Sequence, residues 1–188
     1  MIVAGPVLLL GHVLGIGSGS DYGTVEGTAL RFIAHTLLIL GFVAVYLMQF
    51  RTGGSLNHAG MVLTVLGTSV IAAVLFVETA GAAGENVAPI LESTLPAAFA
   101  GFGMAAWFVG VILFAIAIVR AGTFAPLAGW LLLAGNVIFA VGTVAGPAEQ
   151  VIIILGSAIT VASIVWLGIS LTRGDLSDSQ PAAGLSQA

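Results

Sequence analysis

Residues 96–119 read PAAFAGFGMAAWFVGVILFAIAIV, an apolar run that contains no charged side chain. A helix needs roughly 20 consecutive apolar residues to cross the ~30 Å hydrocarbon core of a bilayer, and this run exceeds that length. It also lacks the strict alternation of polar and apolar residues that a transmembrane strand requires. The run therefore predicts a membrane-spanning helix.

Comparable apolar runs lie on both sides of this one. Most of them reach the spanning length, and the shorter one at the amino terminus predicts a short first span rather than a signal peptide, because no basic residue precedes it. The expected spans are 2–16, 29–50, 59–77, 96–119, 124–145 and 151–171. We therefore expect residues 1–173 to form one domain, an all-α, polytopic transmembrane helical bundle of six spans. Residues 174–188 are polar and are expected to form a disordered cytoplasmic tail.

The composition favours a membrane protein and argues against other classes. Hydrophobic residues make up 59% of the 188 residues and charged residues only 6%, against about 45–50% and about 25% in soluble domains. Four cationic side chains and a net charge of −4 argue against nucleic-acid binding, because Lys and Arg neutralise the phosphates. The chain contains no cysteine, so disulfides and thiolate metal sites are excluded.

The arginines indicate the orientation in the membrane. Arg51, Arg120 and Arg173 fall on the same side as the amino terminus, whereas Arg31 is the one arginine on the other side. Most acidic residues share the side of Arg31, namely Asp21, Glu26, Glu78, Glu85, Glu92 and Glu149. Because cytoplasmic loops are enriched in Lys and Arg, we expect a multi-pass protein of the cell membrane with both termini in the cytoplasm.

Small and isolated polar residues predict contacts between helices. Gly142 and Gly146 have the four-residue spacing that lets helix backbones approach in a bilayer, so Gly142 is expected to lie against a neighbouring helix. Asn136 in the middle of span five is expected to hydrogen-bond to another helix. Trp107 is expected inside the bundle, with an aromatic ligand pocket as the alternative. Packing within one bundle in the lipid bilayer explains the glycines, and a homo-oligomer face or a membrane-complex partner is the alternative.

The run 120–135, RAGTFAPLAGWLLLAG, resembles a motif in a family of uncharacterised, mostly bacterial, multi-pass membrane proteins. In that family an Arg-x-Gly-x-Phe turn leads into Ala-Gly-Trp-Leu-Leu at the start of the fifth span. The first span there often ends in Leu-His-Pro, and the second carries a histidine near its start. His12 and His35 occupy similar places here, although Gly11 and Val13 replace the usual neighbours of His12. The resemblance implies a six-span fold and no established activity.

The candidate site residues are His12 and His35. Span one runs outward and span two inward, so both imidazoles are expected at similar depth on the external side, with Glu78 at the external end of span three. Two imidazoles can ligate the iron of haem b, and two imidazoles with a carboxylate can bind a divalent metal. A histidine–carboxylate pair can also relay protons. The alternative is a structural role in which each histidine faces inward and hydrogen-bonds to a neighbouring helix, since lipid offers its nitrogens no partner.

The sequence contains no recognisable catalytic motif. A nucleophile elbow, a phosphate loop, a zinc-protease helix and a dinucleotide fingerprint are all missing from it. We therefore expect an integral membrane protein that is not an enzyme: a membrane subunit, a scaffold or a small-solute carrier. The alternative is a membrane redox protein that binds haem or a metal through His12 and His35.

Overall fold

The computed structural model describes residues 1–16 and 22–173, and all regular secondary structure in them is helical. Asp21 and the tail 174–188, for which disorder was expected, lie outside the described residues. A 3₁₀ turn, Gly146–Ala148, precedes the last helix. The α-helices are α1 Ala4–Leu14, α2 Val25–Met48, α3 Gly54–Ala82, α4 Ala88–Leu91, α5 Thr94–Ala121, α6 Pro126–Gly142 and α7 Glu149–Arg173.

Four of the described helices are long and apolar enough to cross a membrane, namely α2, α3, α5 and α7 with its preceding 3₁₀ turn. The other two apolar helices are shorter than the sequence predicts. Helix α1 has 11 residues and α6 has 17, which correspond to about 16 Å and about 26 Å. Apolar composition overestimates both lengths because it does not register where the helical hydrogen bonds stop. Helix α6 begins only at Pro126, and Thr143 caps its end.

Helix α3 is longer than the predicted span 59–77. It has 29 residues, Gly54–Ala82, so polar residues at both ends remain helical. At one end Asn57 is fully buried and hydrogen-bonded to Gln49, and at the other Glu78 lines a cavity. Part of the interval 51–58 between two expected spans is therefore helical, and the interval 78–95 between the next two contains the end of α3 and the short helix α4.

The six longer helices pack as a closed ring. Neighbours are in contact in the order α1, α2, α3, α5, α6, α7 and back to α1, and the most extensive contact joins α3 to α5. Buried apolar side chains fill part of the interior, where the rings of Phe42 and Phe114 meet edge to face with 5.8 Å between centroids. Asn136 in α6 donates from Nδ2 to the carbonyl oxygen of Phe108 in α5 at 3.3 Å, which confirms the predicted inter-helix hydrogen bond.

Glycines let helix backbones touch in two of these contacts. A Cβ atom on Gly11 of α1 would lie 2.8 Å from the carbonyl oxygen of Gly27 in α2. A Cβ atom on Gly67 of α3 would overlap the backbone of Trp107 in α5. Any larger residue would force these helices apart, so the glycines set the positions of the side chains beside them.

The contact between α6 and α7 is built in the same way. A Cβ atom on Gly156 of α7 would lie 2.5 Å from the backbone nitrogen of Phe139 in α6. A Cβ atom on Gly142 of α6 would lie 2.9 Å from the backbone nitrogen of Ile153 in α7. The expected packing of Gly142 against a neighbouring helix is therefore confirmed.

Contacts between connections define the two ends of the bundle. The hydroxyl oxygens of Thr52 and Thr123 lie 2.9 Å apart, so the α2–α3 and α5–α6 connections share one end, which we call the turn end. At the opposite end, Gly81 lies against the side chains of Tyr22 and Val87. This joins the end of α3 to the segment before α2 and to the α3–α4 connection, and we call it the cavity end.

Candidate functional site

A cavity of about 190 Å³ lies inside the ring, in the half nearer the cavity end. All six helices of the ring contribute to its wall, and the three close helix pairs described above surround it. Seven of the lining residues carry polar groups: His12, Arg31, His35, Glu78, Trp107, Ser157 and Thr160. The cavity is therefore the place where the few polar side chains of an apolar bundle converge.

The structure brings all three predicted site residues to this cavity. His12 comes from α1, His35 from α2 and Glu78 from α3, and each lines the wall. His35 is only 7% exposed, so its predicted inward orientation is confirmed. Arg31, which the sequence marked only as the one external arginine, lines the same wall. The role of these residues as ligands of a cofactor stays a prediction.

A hydrogen bond within α2 fixes the imidazole of His35. Its Nδ1 atom lies 2.8 Å from the carbonyl oxygen of Arg31, one turn earlier in the helix. A carbonyl oxygen can only accept, so Nδ1 carries the hydrogen. The partner of His35 is thus in its own helix and not, as the structural alternative expected, in a neighbouring one. In the neutral ring, Nε2 is then the atom that can accept a hydrogen bond.

The guanidinium of Arg31 is only partly paired. Its Nη2 atom lies 3.2 Å from the hydroxyl of Thr28 and 3.4 Å from the carbonyl oxygen of Tyr22. Its Nε atom is buried and has no hydrogen-bond partner among residues 1–16 and 22–173. A guanidinium has donors and no acceptor, so Arg31, which lines the cavity, carries one buried N–H group without a partner.

Two further lining residues carry unpaired polar atoms. Trp107 is 8% exposed and Ser157 is 3% exposed, and neither Nε1 of the indole nor Oγ of the serine has a partner in the described part of the chain. Leaving a buried polar group unpaired costs about 1–3 kcal/mol, so each such group calls for an explanation. Sequence reasoning expected Trp107 inside the bundle but did not single out Ser157, because the sequence of a span does not show which face points inward.

Aromatic rings form one continuous side of the site. The imidazole of His12 meets the ring of Phe139 edge to face with 5.9 Å between centroids, and Phe139 meets the indole of Trp107 at 5.8 Å. All three residues line the cavity. The alternative of an aromatic ligand pocket at Trp107 is therefore compatible with the observed geometry, and His12 is held by ring packing.

The described residues do not assemble the predicted metal site. Within them, no group of three His, Cys, Asp or Glu side chains is placed so that it could hold a metal ion. His12, His35 and Glu78 thus share a wall without forming a ligand set. The cavity volume gives haem b no support. The cavity has about 190 Å³, whereas pockets for drug-sized ligands measure about 300–1,000 Å³.

Comparison with known proteins adds no functional assignment. No protein-family model matches the chain, and no curated protein or solved structure shows significant similarity to it. The run 120–135 covers the last residues of α5, the turn to α6 and the first part of α6, with Gly122 at a φ of 64° and Pro126 in the first turn of α6. Its resemblance to a family of uncharacterised membrane proteins stays a prediction, and the functional conclusion depends on the cavity.

Proposed function

We propose that the chain is a membrane protein that binds a small solute in this cavity, in the manner of a small-solute carrier. The observation that carries the proposal is an internal cavity in an apolar bundle, on whose wall the ionisable residues His12, Arg31, His35 and Glu78 meet. Small-molecule sites are apolar cavities with a few convergent polar groups. A volume of about 190 Å³ is below the about 300–1,000 Å³ of pockets for drug-sized ligands, so the solute is small.

A scaffold or a structural subunit would not need this arrangement. Ionisable side chains inside a membrane-spanning bundle are costly, and a bundle that only packs would be more stable with apolar residues in place of Arg31 and Glu78. A solute that contacts this polar part of the wall gives those residues a partner when it binds. The redox alternative gains no support from the cavity volume or from the ligand geometry.

The site would lie in the external half of the cell membrane. Arg51 and Arg120 belong to the turn end, and arginines favour the cytoplasmic side. A cytoplasmic turn end places the cavity end on the external side. Helix α6, with 17 residues, is at the lower limit of a spanning helix, and α1 reaches only part of the way across.

Fluorescence of Trp107 tests the proposal. Replacing the two exposed tryptophans, Trp130→Phe and Trp166→Phe, leaves Trp107 as the single indole in the full-length chain. This protein, in lipid nanodiscs, is titrated with small neutral, anionic, cationic and zwitterionic compounds. We expect at least one of these classes to change the Trp107 emission saturably, because the indole lines the cavity.

A matched pair of variants ties the signal to the cavity. Ala100→Phe fills the space, since Ala100 lines it, and should abolish the saturable change. Ala98→Phe makes the same substitution at an exposed position nearby and should leave the change intact. If compounds of all four classes leave the emission unchanged, or if Ala100→Phe binds them as well as the parent protein does, the cavity is not a solute site.

A further inference from the structure

One nitrogen of His35 is available to a ligand in the cavity. Its Nδ1 atom carries the hydrogen that is donated to the carbonyl oxygen of Arg31, so Nε2 of the neutral ring can only accept. Nε2 has no hydrogen-bond partner in the described part of the chain, yet it is not one of the unpaired atoms that are fully buried there. Part of its surface is therefore accessible. Because His35 is only 7% exposed and lines the cavity, the cavity is where this acceptor is accessible.

Glu78, in the next helix of the ring, offers a second acceptor. Its carboxylate oxygens have no hydrogen-bond partner among residues 1–16 and 22–173 and are not fully buried, and the residue lines the same cavity. The guanidinium of Arg31 on this wall cannot lose its proton, and Glu78 is the one acid among the described lining residues. Since a buried charge is costly unless it is compensated, Glu78 is the carboxylate that balances Arg31. An ionised carboxylate, like Nε2 of His35, only accepts.

The charges on the wall favour an uncharged ligand. The formal charges of Arg31 and Glu78 cancel, and Arg31 is near enough to Glu78, His12 and His35 to interact with them electrostatically. Helices α5, α6 and α7 contribute no ionisable side chain to the described wall. A cationic ligand would be repelled by Arg31, and an anionic ligand would bring a further acceptor to Glu78 and His35, both of which require donors.

On the basis of the proposed function, we propose that the solute is a small uncharged molecule with hydrogen-bond donors for both acceptors, of the class of an amide or a polyol. Its N–H or O–H groups donate to Nε2 of His35 and to the carboxylate of Glu78. Neither nitrogen of His12 is paired within the described residues, so its N–H group can donate to an oxygen of the same molecule. A cavity of about 190 Å³, smaller than the about 300–1,000 Å³ of pockets for drug-sized ligands, suits such a molecule.

Probes of nearly equal size test the requirement for donors. Acetone replaces both amino groups of urea by methyl groups, guanidinium adds a positive charge to the same planar frame, and acetate carries a negative charge. Glycerol presents hydroxyl donors in place of N–H groups. The protein with Trp107 as its single tryptophan is titrated in nanodiscs with each probe, and the saturable change that Ala100→Phe removes is the quantity compared. We expect urea or glycerol to bind at least about tenfold more tightly than acetone, guanidinium and acetate.

A matched pair of variants tests Glu78 as an acceptor. Glu78→Gln should weaken the binding of the preferred probe about tenfold or more, because a neutral amide is a weaker acceptor than a carboxylate and presents donors of its own. Glu85→Gln is the control, since Glu85 is exposed and is not part of the cavity wall, and it should leave the affinity unchanged. Equal affinities in the two variants would show that Glu78 does not receive the solute.

The outcomes distinguish this inference from the proposed function. If acetone binds as tightly as urea and glycerol and Ala100→Phe abolishes that binding, the cavity is a solute site that requires no donors. If saturable binding is confined to guanidinium, acetate or other charged compounds, the solute site remains and its assignment to an uncharged donor is wrong. Silence from all compound classes, by contrast, removes the solute site itself. The comparison of probes requires no substitution of Glu78, so it decides the matter even if Glu78→Gln fails to fold.

Discussion

The side-chain amide of Gln49 donates a hydrogen bond from Nε2 to Oδ1 of Asn57 at 2.6 Å, and neither side chain has any exposed surface. The Nδ2 atom of Asn57 lies 3.4 Å from the carbonyl oxygens of Gln49 and Tyr46. This pair connects the end of α2 to the first turns of α3. Because Asn57 donates to these two carbonyl oxygens, they can be buried at the turn end. An apolar side chain in its place would leave them without a partner.

We predict that Asn57→Leu lowers the free energy of unfolding by about 1–3 kcal/mol, because it leaves the buried amide of Gln49 without its acceptor. The measurement is thermal melting of the detergent-solubilised protein. The double variant Gln49→Leu/Asn57→Leu should be more stable than Asn57→Leu, since replacing both partners by apolar groups avoids an unpaired amide. Equal melting temperatures for Asn57→Leu and the parent protein would show that the pair contributes nothing.

The existence of the long helices was predictable from the sequence because a bilayer dictates the length of an apolar run. Residues 96–119 lie within α5, Thr94–Ala121, as expected. The helix ends were less predictable, because they depend on where backbone hydrogen bonding stops rather than on where apolar residues stop. Asn57 is inside α3 although it is polar, and the residues before Pro126 are outside α6 although they are largely apolar.

The sequence predicted the depth of the candidate site in the membrane but not all of the residues that form it. Alternating spans place His12, His35 and Glu78 at one level, and all three line the cavity. The contribution of Ser157 was not predictable, because lipid is as apolar as the helix core and the sequence of a span does not show which face points inward. The rotation of each helix follows instead from glycine contacts that form only in the folded ring.

We predict that Gly142→Leu destabilises the bundle by about 1–3 kcal/mol, because a larger side chain overpacks the contact with Ile153 in α7. Gly101→Leu is the matched control, since a Cβ atom at Gly101 would meet nothing within 4 Å. Melting temperatures in detergent measure both. If Gly142→Leu has the same melting temperature as the Gly101→Leu control, α6 and α7 separate at this point without a loss of stability.

We predict that His35→Asn is more stable than His35→Leu. An asparagine amide can donate to the carbonyl oxygen of Arg31 in place of Nδ1, whereas leucine cannot. The difference should be about 0.5–1.5 kcal/mol, the net contribution of one such hydrogen bond, and thermal melting measures it. If His35→Leu is as stable as His35→Asn, the bond to Arg31 orients the imidazole without stabilising the fold.

We predict that reporter fusions at Gly53 and Gly122 lie in the cytoplasm and that a fusion at Gly84 lies outside. Gly53 and Gly122 belong to the two connections of the turn end, beside Arg51 and Arg120, and arginines favour the cytoplasmic side. Gly84 belongs to the α3–α4 connection at the cavity end. An external reporter at Gly122 together with a cytoplasmic one at Gly84 would invert the bundle and place the cavity on the cytoplasmic side.

We predict that the purified protein shows no haem absorption band and no stoichiometric metal, although His12 and His35 line the same cavity. The cavity is smaller than pockets for drug-sized ligands, and His12, His35 and Glu78 are not placed to hold one ion. A visible absorption spectrum and elemental analysis of the protein purified without chelators measure both quantities. The decisive contrary result would be a haem band or a bound metal that His12→Ala and His35→Ala each remove while Ala98→Phe retains it. Such a band would require the six helices to open around the ligand, and the cavity would then belong to a redox protein rather than to a solute site.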